Sequence, residues 1–177
     1  MKKHSFLFVG LLIFLISCSP ELITVSKNEQ DNSTTYKLQL GYIVKRSGAL
    51  GMLPCGTLNP IKIVKENETK YQLLVEFWTN TWLEIQPGKS LAINVDGKTL
   101  TFNSEEGSGT NRGYISNKWG KYFEKALYDC TADDLIKIAK GEKILMKLKG
   151  LKWEQFVEFE PEGFSNFKQF VKMYVEQ

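Results

Sequence analysis

Residues 82–103, WLEIQPGKSLAINVDGKTLTFN, decide the fold. Two turn signals punctuate this stretch. Pro87-Gly88 separates residues 82–85 from 90–95, and Asp96-Gly97 separates 90–95 from 99–102. Asp-Gly between alternating apolar runs is a strong hairpin signal, because a tight two-residue turn needs positive φ at both central positions. Gly takes that conformation without steric cost and Asp tolerates it. Short strands joined by tight turns pair antiparallel. The centre of the chain therefore reads as an antiparallel β-meander.

Toward the N-terminus the same texture continues. Leu73, Val75 and Phe77 share one face of a strand over 70–79, and a second strand spans 60–65. The polar turn Glu66-Asn67-Glu68 joins them. Residues 46–60, RSGALGMLPCGTLNP, are rich in Gly and Pro and read as a loop. Tyr36, Leu38 and Leu40 alternate in a strand over 35–44. Toward the C-terminus, residues 104–117 read as a long polar loop and 122–128 as a strand. Thr131-Ala132-Asp133-Asp134 then has the form of a helix start, with a Thr N-cap and acidic residues in the first turn. Leu135, Ile138 and Ala139 fall on one helical face, and Gly141 stops the helix. Residues 143–149 alternate with Ile144, Met146 and Leu148 inward, and 153–159 form a further strand with Trp153 and Val157 in the core. Phe164, Phe167, Phe170, Val171 and Tyr174 recur at helical spacing. The expected fold is α+β and mainly antiparallel. It has about nine short strands in a curved sheet, sandwich or incomplete barrel, with two helices in the C-terminal third covering an open face or end. The passage 122–149 is the one place where a parallel crossover could arise.

The first residues have a different character. Lys2 and Lys3 precede an apolar run at 6–16, FLFVGLLIFLI. That run falls short of the roughly 20 residues a spanning helix needs and has the length of a signal-peptide core. It ends in Leu15-Ile16-Ser17-Cys18, which resembles the lipobox of bacterial lipoproteins. The resemblance implies cleavage between Ser17 and Cys18, removal of residues 1–17 as a signal peptide, and diacylation of the Cys18 thiol, with palmitate-type acylation of the new amine. Two or more acyl chains anchor a protein stably to a membrane. Ser19 is not Asp, which in this family favours the outer membrane over inner-membrane retention. Residues 18–34 then read as the lipidated cysteine and a flexible tether, and residues 35–177 as one globular domain.

Composition excludes more than it assigns. The precursor carries 23 basic and 20 acidic residues, net +3, and loss of Lys2 and Lys3 leaves the mature chain near neutrality. Such a chain has no electrostatic footprint for nucleic acid. The single histidine, His4, lies in the signal peptide. A mature chain without histidine lacks Ser-His-Asp and Cys-His catalysis and His-ligated zinc. No cofactor or metal motif is present. Carboxylate pairs at Glu105/Glu106 and Asp133/Asp134 are the remaining candidates for hydrolysis, but side chains adjacent in sequence rarely face each other across a substrate. Cys55 and Cys130 remain after lipidation of Cys18, and in an oxidising compartment they are expected to pair as a disulfide, the alternative being two buried thiols. Trp78, Asn80 and Trp82 would share one face of an extended segment. Aromatic plates beside an amide suit sugar stacking or a protein hot spot, and core packing is the competing reading. The expected role is a lipid-anchored, non-catalytic envelope protein that binds a protein or glycan partner. The alternatives are a structural or assembly component of the envelope and a carboxylate-dependent envelope hydrolase.

Overall fold

The computed structural model describes residues 22–45, 54–109, 112–115 and 121–177. The expected signal peptide and the Leu15-Ile16-Ser17-Cys18 segment lie outside these residues. In chain order the elements are β1 (Ile23–Asn28), β2 (Ser33–Leu38), β3 (Tyr42–Lys45), β4 (Pro54–Lys65), β5 (Glu68–Thr79), β6 (Gly88–Val95), β7 (Lys98–Ser104), β8 (Arg112–Ile115), β9 (Lys121–Cys130), α1 (Ala132–Lys140), β10 (Ile144–Lys149), β11 (Glu154–Phe159) and α2 (Pro161–Tyr174). The fold is the expected one: a curved, mainly antiparallel sheet with two helices near the C-terminus.

The eleven strands form one sheet in the order β7-β6-β10-β11-β3-β4-β5-β9-β8, with β2 also on β4 and β1 on β2. Every pairing among the described residues is antiparallel. The sheet curls until β7 lies against β9 without pairing to it. Inside the curve the Tyr128 hydroxyl of β9 meets Ser90 Oγ of β6 at 3.1 Å. The interior is filled by side chains such as Leu58, Leu73, Val75, Phe77, Leu91, Ile93, Met146, Leu148 and Val157, all essentially inaccessible. An eight-strand circumference leaves room for little else, so this is a packed core and not a ligand cavity. Phe167, Phe170 and Val171 of α2 and Leu135 and Ile138 of α1 cover the part of the core that the sheet leaves open.

Local rules account for the clearest elements. The β6–β7 turn has Asp96 at φ 50° and Gly97 at φ 88°, both positive as a tight two-residue hairpin turn requires. Thr131 caps α1 in a reciprocal box: its hydroxyl accepts from the Asp134 N–H, and the Asp134 carboxylate accepts from the Thr131 N–H.

Four expectations need correction. The segment 18–34 is not a tether throughout, since β1 and β2 pair from Ile23↔Leu38 to Asn28↔Ser33 and the folded domain begins at about Leu22. The loop read over 46–60 becomes strand from Pro54. Likewise the loop over 104–117 contains β8, which pairs with β9. Finally, 122–149 makes no parallel crossover, because β10 lies beside β6 and not beside β9.

Candidate functional site

The strands β6, β7, β10 and β11 turn their apolar residues inward, and alternation therefore sends a second set of side chains outward. Register brings that second set together. Thr101 opposes Ala92, Ala92 opposes Lys147, and Lys147 opposes Phe156, so one row crosses four strands. A parallel row runs Thr99, Asn94, Leu145. Ala92, Thr99 and Thr101 are short and form a floor. Phe156, Leu145 and three lysines, Lys89, Lys147 and Lys149, rise around it and leave an open cleft of about 510 Å³.

The chemistry of this cleft is specific. Phe156 is 46% exposed, unusual for a large apolar ring on a sheet. Lys147 pairs with Glu154 at 3.2 Å. Lys89 and Lys149 make no ion pair among the described residues, so the lining carries three ammonium groups against one carboxylate. Hydroxyl and amide groups complete the lining; Asn94 Nδ2 donates to Thr99 Oγ1 at 3.1 Å. Such a surface can bind and orient a ligand, but it presents no nucleophile-and-base pair. Among the described residues no group of His, Cys, Asp and Glu is placed to hold a metal ion.

The residues singled out in the sequence are distributed differently. Trp78 is half-buried on the outer face of β5, opposite Phe123 of β9. The extended segment ends at Thr79, and the chain bends at Asn80, which is exposed. Trp82 follows the bend and packs on Tyr122 with ring centroids 4.6 Å apart. Tyr122 is the register partner of Thr79, which faces away from Trp78, so the structure separates Trp78 from Trp82 and forms no three-residue platform. The Trp82 carbonyl accepts from Trp153 Nε1, and Trp153 packs against the core as expected.

Cys55 and Cys130 are thiols that no disulfide joins. Cys130 opposes Tyr71, and Tyr71 opposes Lys62 of β4. Cys55 lies farther back along β4, roughly 23 Å away at about 3.3 Å per residue. A disulfide needs Cα atoms within about 7 Å. The expected bridge is therefore incompatible with the sheet register. Burial pushes the Cys130 thiol up to about 12, with Asp134 and Asp129 adding to the effect.

The carboxylate pairs lie at different places: Asp133 borders a hollow beside β6 and β7, whereas Glu105 and Glu106 line a cleft of about 260 Å³ together with Asp129, which Lys70 and Gln72 hold. Asp134 is held in the α1 capping box and Asp133 pairs with Lys137 one turn on. Glu105 and Glu106 are exposed in the turn after β7. The carboxylate that matters most structurally is Glu124, which sequence reasoning did not single out. It is 1% exposed and accepts from three successive backbone N–H groups, Leu83 at 2.6 Å, Glu84 at 3.0 Å and Ile85 at 2.9 Å. This explains why 82–85, expected as a strand, is instead wrapped around a side chain: Glu124 supplies the acceptors that a neighbouring strand would have offered.

The cleft residues Lys89, Lys147, Lys149 and Phe156 also went unremarked in the sequence. Alternation already placed Lys147 and Lys149 opposite to Met146 and Leu148, but their convergence with Phe156 and Lys89 needs the pairing of β10 with both β6 and β11. The chain matches no known family model, no curated protein and no solved structure.

Proposed function

We propose that this chain is a bacterial lipoprotein of the cell envelope, moored through acyl chains on Cys18, whose domain binds an acidic envelope glycan in the β6–β7–β10–β11 cleft without catalysing a reaction. The single observation that carries the binding role is the cleft itself. Surplus ammonium groups at Lys89 and Lys149, an exposed Phe156 ring and a floor of small residues with the Thr99 and Thr101 hydroxyls lie on one face. Ammonium groups meet carboxylate or phosphate substituents, hydroxyls and amides meet sugar hydroxyls, and the ring packs on the apolar face of a pyranose. The anchor rests on Leu15-Ile16-Ser17-Cys18 and the basic-apolar segment before it. The outer membrane is the proposed location, from Ser19 after the lipidated residue.

The test is a binding titration of the full acylated chain in detergent against acidic and neutral bacterial polysaccharides. Saturable, salt-sensitive binding to the acidic members is expected, lost in Lys149→Glu and Phe156→Ala variants that melt like the parent. Absence of binding to any acidic glycan, or binding that both variants retain, would remove the cleft from the account. A second reading, assembly within the envelope, has one observation in its favour. Among the described residues β1 pairs with β2 alone, and five of its six residues are exposed, so it offers an open strand edge to another chain.

A further inference from the structure

The start of the fold at Leu22 has a geometric consequence that rests on the lipid anchor at Cys18. Leu22 is part of the fold: its carbonyl accepts from the Gln39 N–H at 3.0 Å, and its side chain packs on the core. Only residues 19–21 separate it from Cys18. A chain of that length spans at most about 14 Å between the two Cα atoms. The acylated cysteine sits at the bilayer surface, so the wall that carries Leu22 has almost no room to stand away from it.

What flanks Leu22 is chemically suited to that position. Next to Gln39, the Leu40 carbonyl accepts from Asn166 Nδ2 of α2. From there α2 follows the β2 line until the Tyr174 ring packs at a tilt on Tyr36, centroids 4.9 Å apart, and Tyr36 opposes Val25 of β1. The exposed residues along this track include Lys168 and Lys172, which make no ion pair among the described residues. They also include two apolar side chains, Met173 at 41% and Val25 at 52% exposure. Lysines beside exposed apolar groups are the composition of a surface that rests on anionic headgroups. We infer that β1 and the C-terminal half of α2 dock on the bilayer that holds Cys18, leaving the β6–β7–β10–β11 cleft clear of it. In strand order β6 lies four places from β4, the strand on which β2 is paired, while the N-terminal end of α2 comes nearer the cleft, where Phe164 shares a hollow with Asn94 and Leu145.

The experiment places an environment-sensitive fluorophore on Met173→Cys or on Leu151→Cys, each in a Cys130→Ala background. Leu151 is 56% exposed at the β10–β11 turn. The full processed chain is reconstituted into phosphatidylethanolamine–phosphatidylglycerol vesicles containing a headgroup-nitroxide lipid. Loss of most emission at position 173 and retention at 151 is expected, with quenching at 173 weakened by Lys168→Glu together with Lys172→Glu. Equal quenching at both positions, or none at 173 in protein that floats with the vesicles, would overturn the docking and leave the anchor intact. Protein that does not float with the vesicles would overturn the anchor, and the docking with it.

Discussion

The outer faces of two walls of the same sheet are built on opposite plans. On β4–β5–β9 the outward polar groups are partnered to one another. Lys125 meets Glu76 at 2.8 Å, Thr57 donates to Glu76, Asn59 donates to Thr57, and Gly41 donates its N–H to Asn59. Gln72 and Lys70 both hold Asp129, at 2.8 and 2.9 Å. On β7–β6–β10–β11 the lysines Lys89 and Lys149 stand without a carboxylate among the described residues, beside an exposed ring. The first wall spends its polar groups on its own cohesion, and the second leaves them available to a ligand. Substitutions should therefore cost stability on the first wall and binding on the second.

The largest effect is expected at Glu124. Glu124→Ala leaves three N–H groups without their acceptor, two of them on buried residues, and should cost on the order of 3–5 kcal/mol, read as a lowered denaturation midpoint. Glu124→Gln, which keeps one acceptor oxygen, should lose less. A loss below about 1 kcal/mol for the alanine variant would mean that the 83–85 segment is not held by this carboxylate.

Alkaline pH should act next, at the end of β9. The Cys130 thiol is raised from 9.0 to about 12, and burial also raises Tyr128. In that window the unfolded chain binds fewer protons than the folded one, so stability falls as pH rises from 9 toward 12. Melting curves should show this decline, and Cys130→Ala should flatten it.

A smaller effect is expected at Glu76. Burial alone would raise its carboxyl, but the Lys125 ammonium, together with Lys37 and the Thr57 hydroxyl, outweighs it and holds the group below its ordinary value. Asp129 is lowered by Gln72 and Lys70. Both contribute stability at neutral pH that is lost as pH falls through their folded values, below about 4.5. Glu76→Gln should cost about 1–2 kcal/mol at pH 7 and reduce the acid sensitivity. On the other wall, Lys89→Ala and Lys149→Ala should change stability by no more than about 0.5 kcal/mol while weakening acidic-glycan binding. A stability cost there equal to that of Glu76→Gln would erase the contrast between the walls.

What was legible in the sequence was local. The Asp96-Gly97 hairpin, the Thr131 capping box and the inward faces of β5, β10 and α2 each depend on residues close along the chain. What was hidden depends on partners far along it. Pro60 reads as the boundary between a loop and a strand, yet it sits in the middle of β4. Leu58 donates its N–H to the Gly41 carbonyl, and two residues on, the absent donor of Pro60 would point to the same edge, where the line of β2 and β3 is interrupted at 39–41. Gly41 marks that interruption, since a Cβ there would come within 2.3 Å of the Leu58 carbonyl oxygen. β1 escaped notice because its alternation, Ile23-Thr24-Val25-Ser26, is short and sits among polar neighbours, with five of its six residues facing solvent. The cleft was invisible for the same kind of reason, as no single strand contains it.

The proposed docking of β1 and α2 on a bilayer, with the cleft left open to a ligand, starts at residue 18. Intact-mass measurement of the protein extracted from bacterial envelopes tests this most directly. The predicted species begins at Cys18 and carries the mass of a diacylglyceryl group plus any amide-linked acyl chain. A chain that still begins at Met1, or one cut before Cys18 but bearing no lipid, would contradict the account.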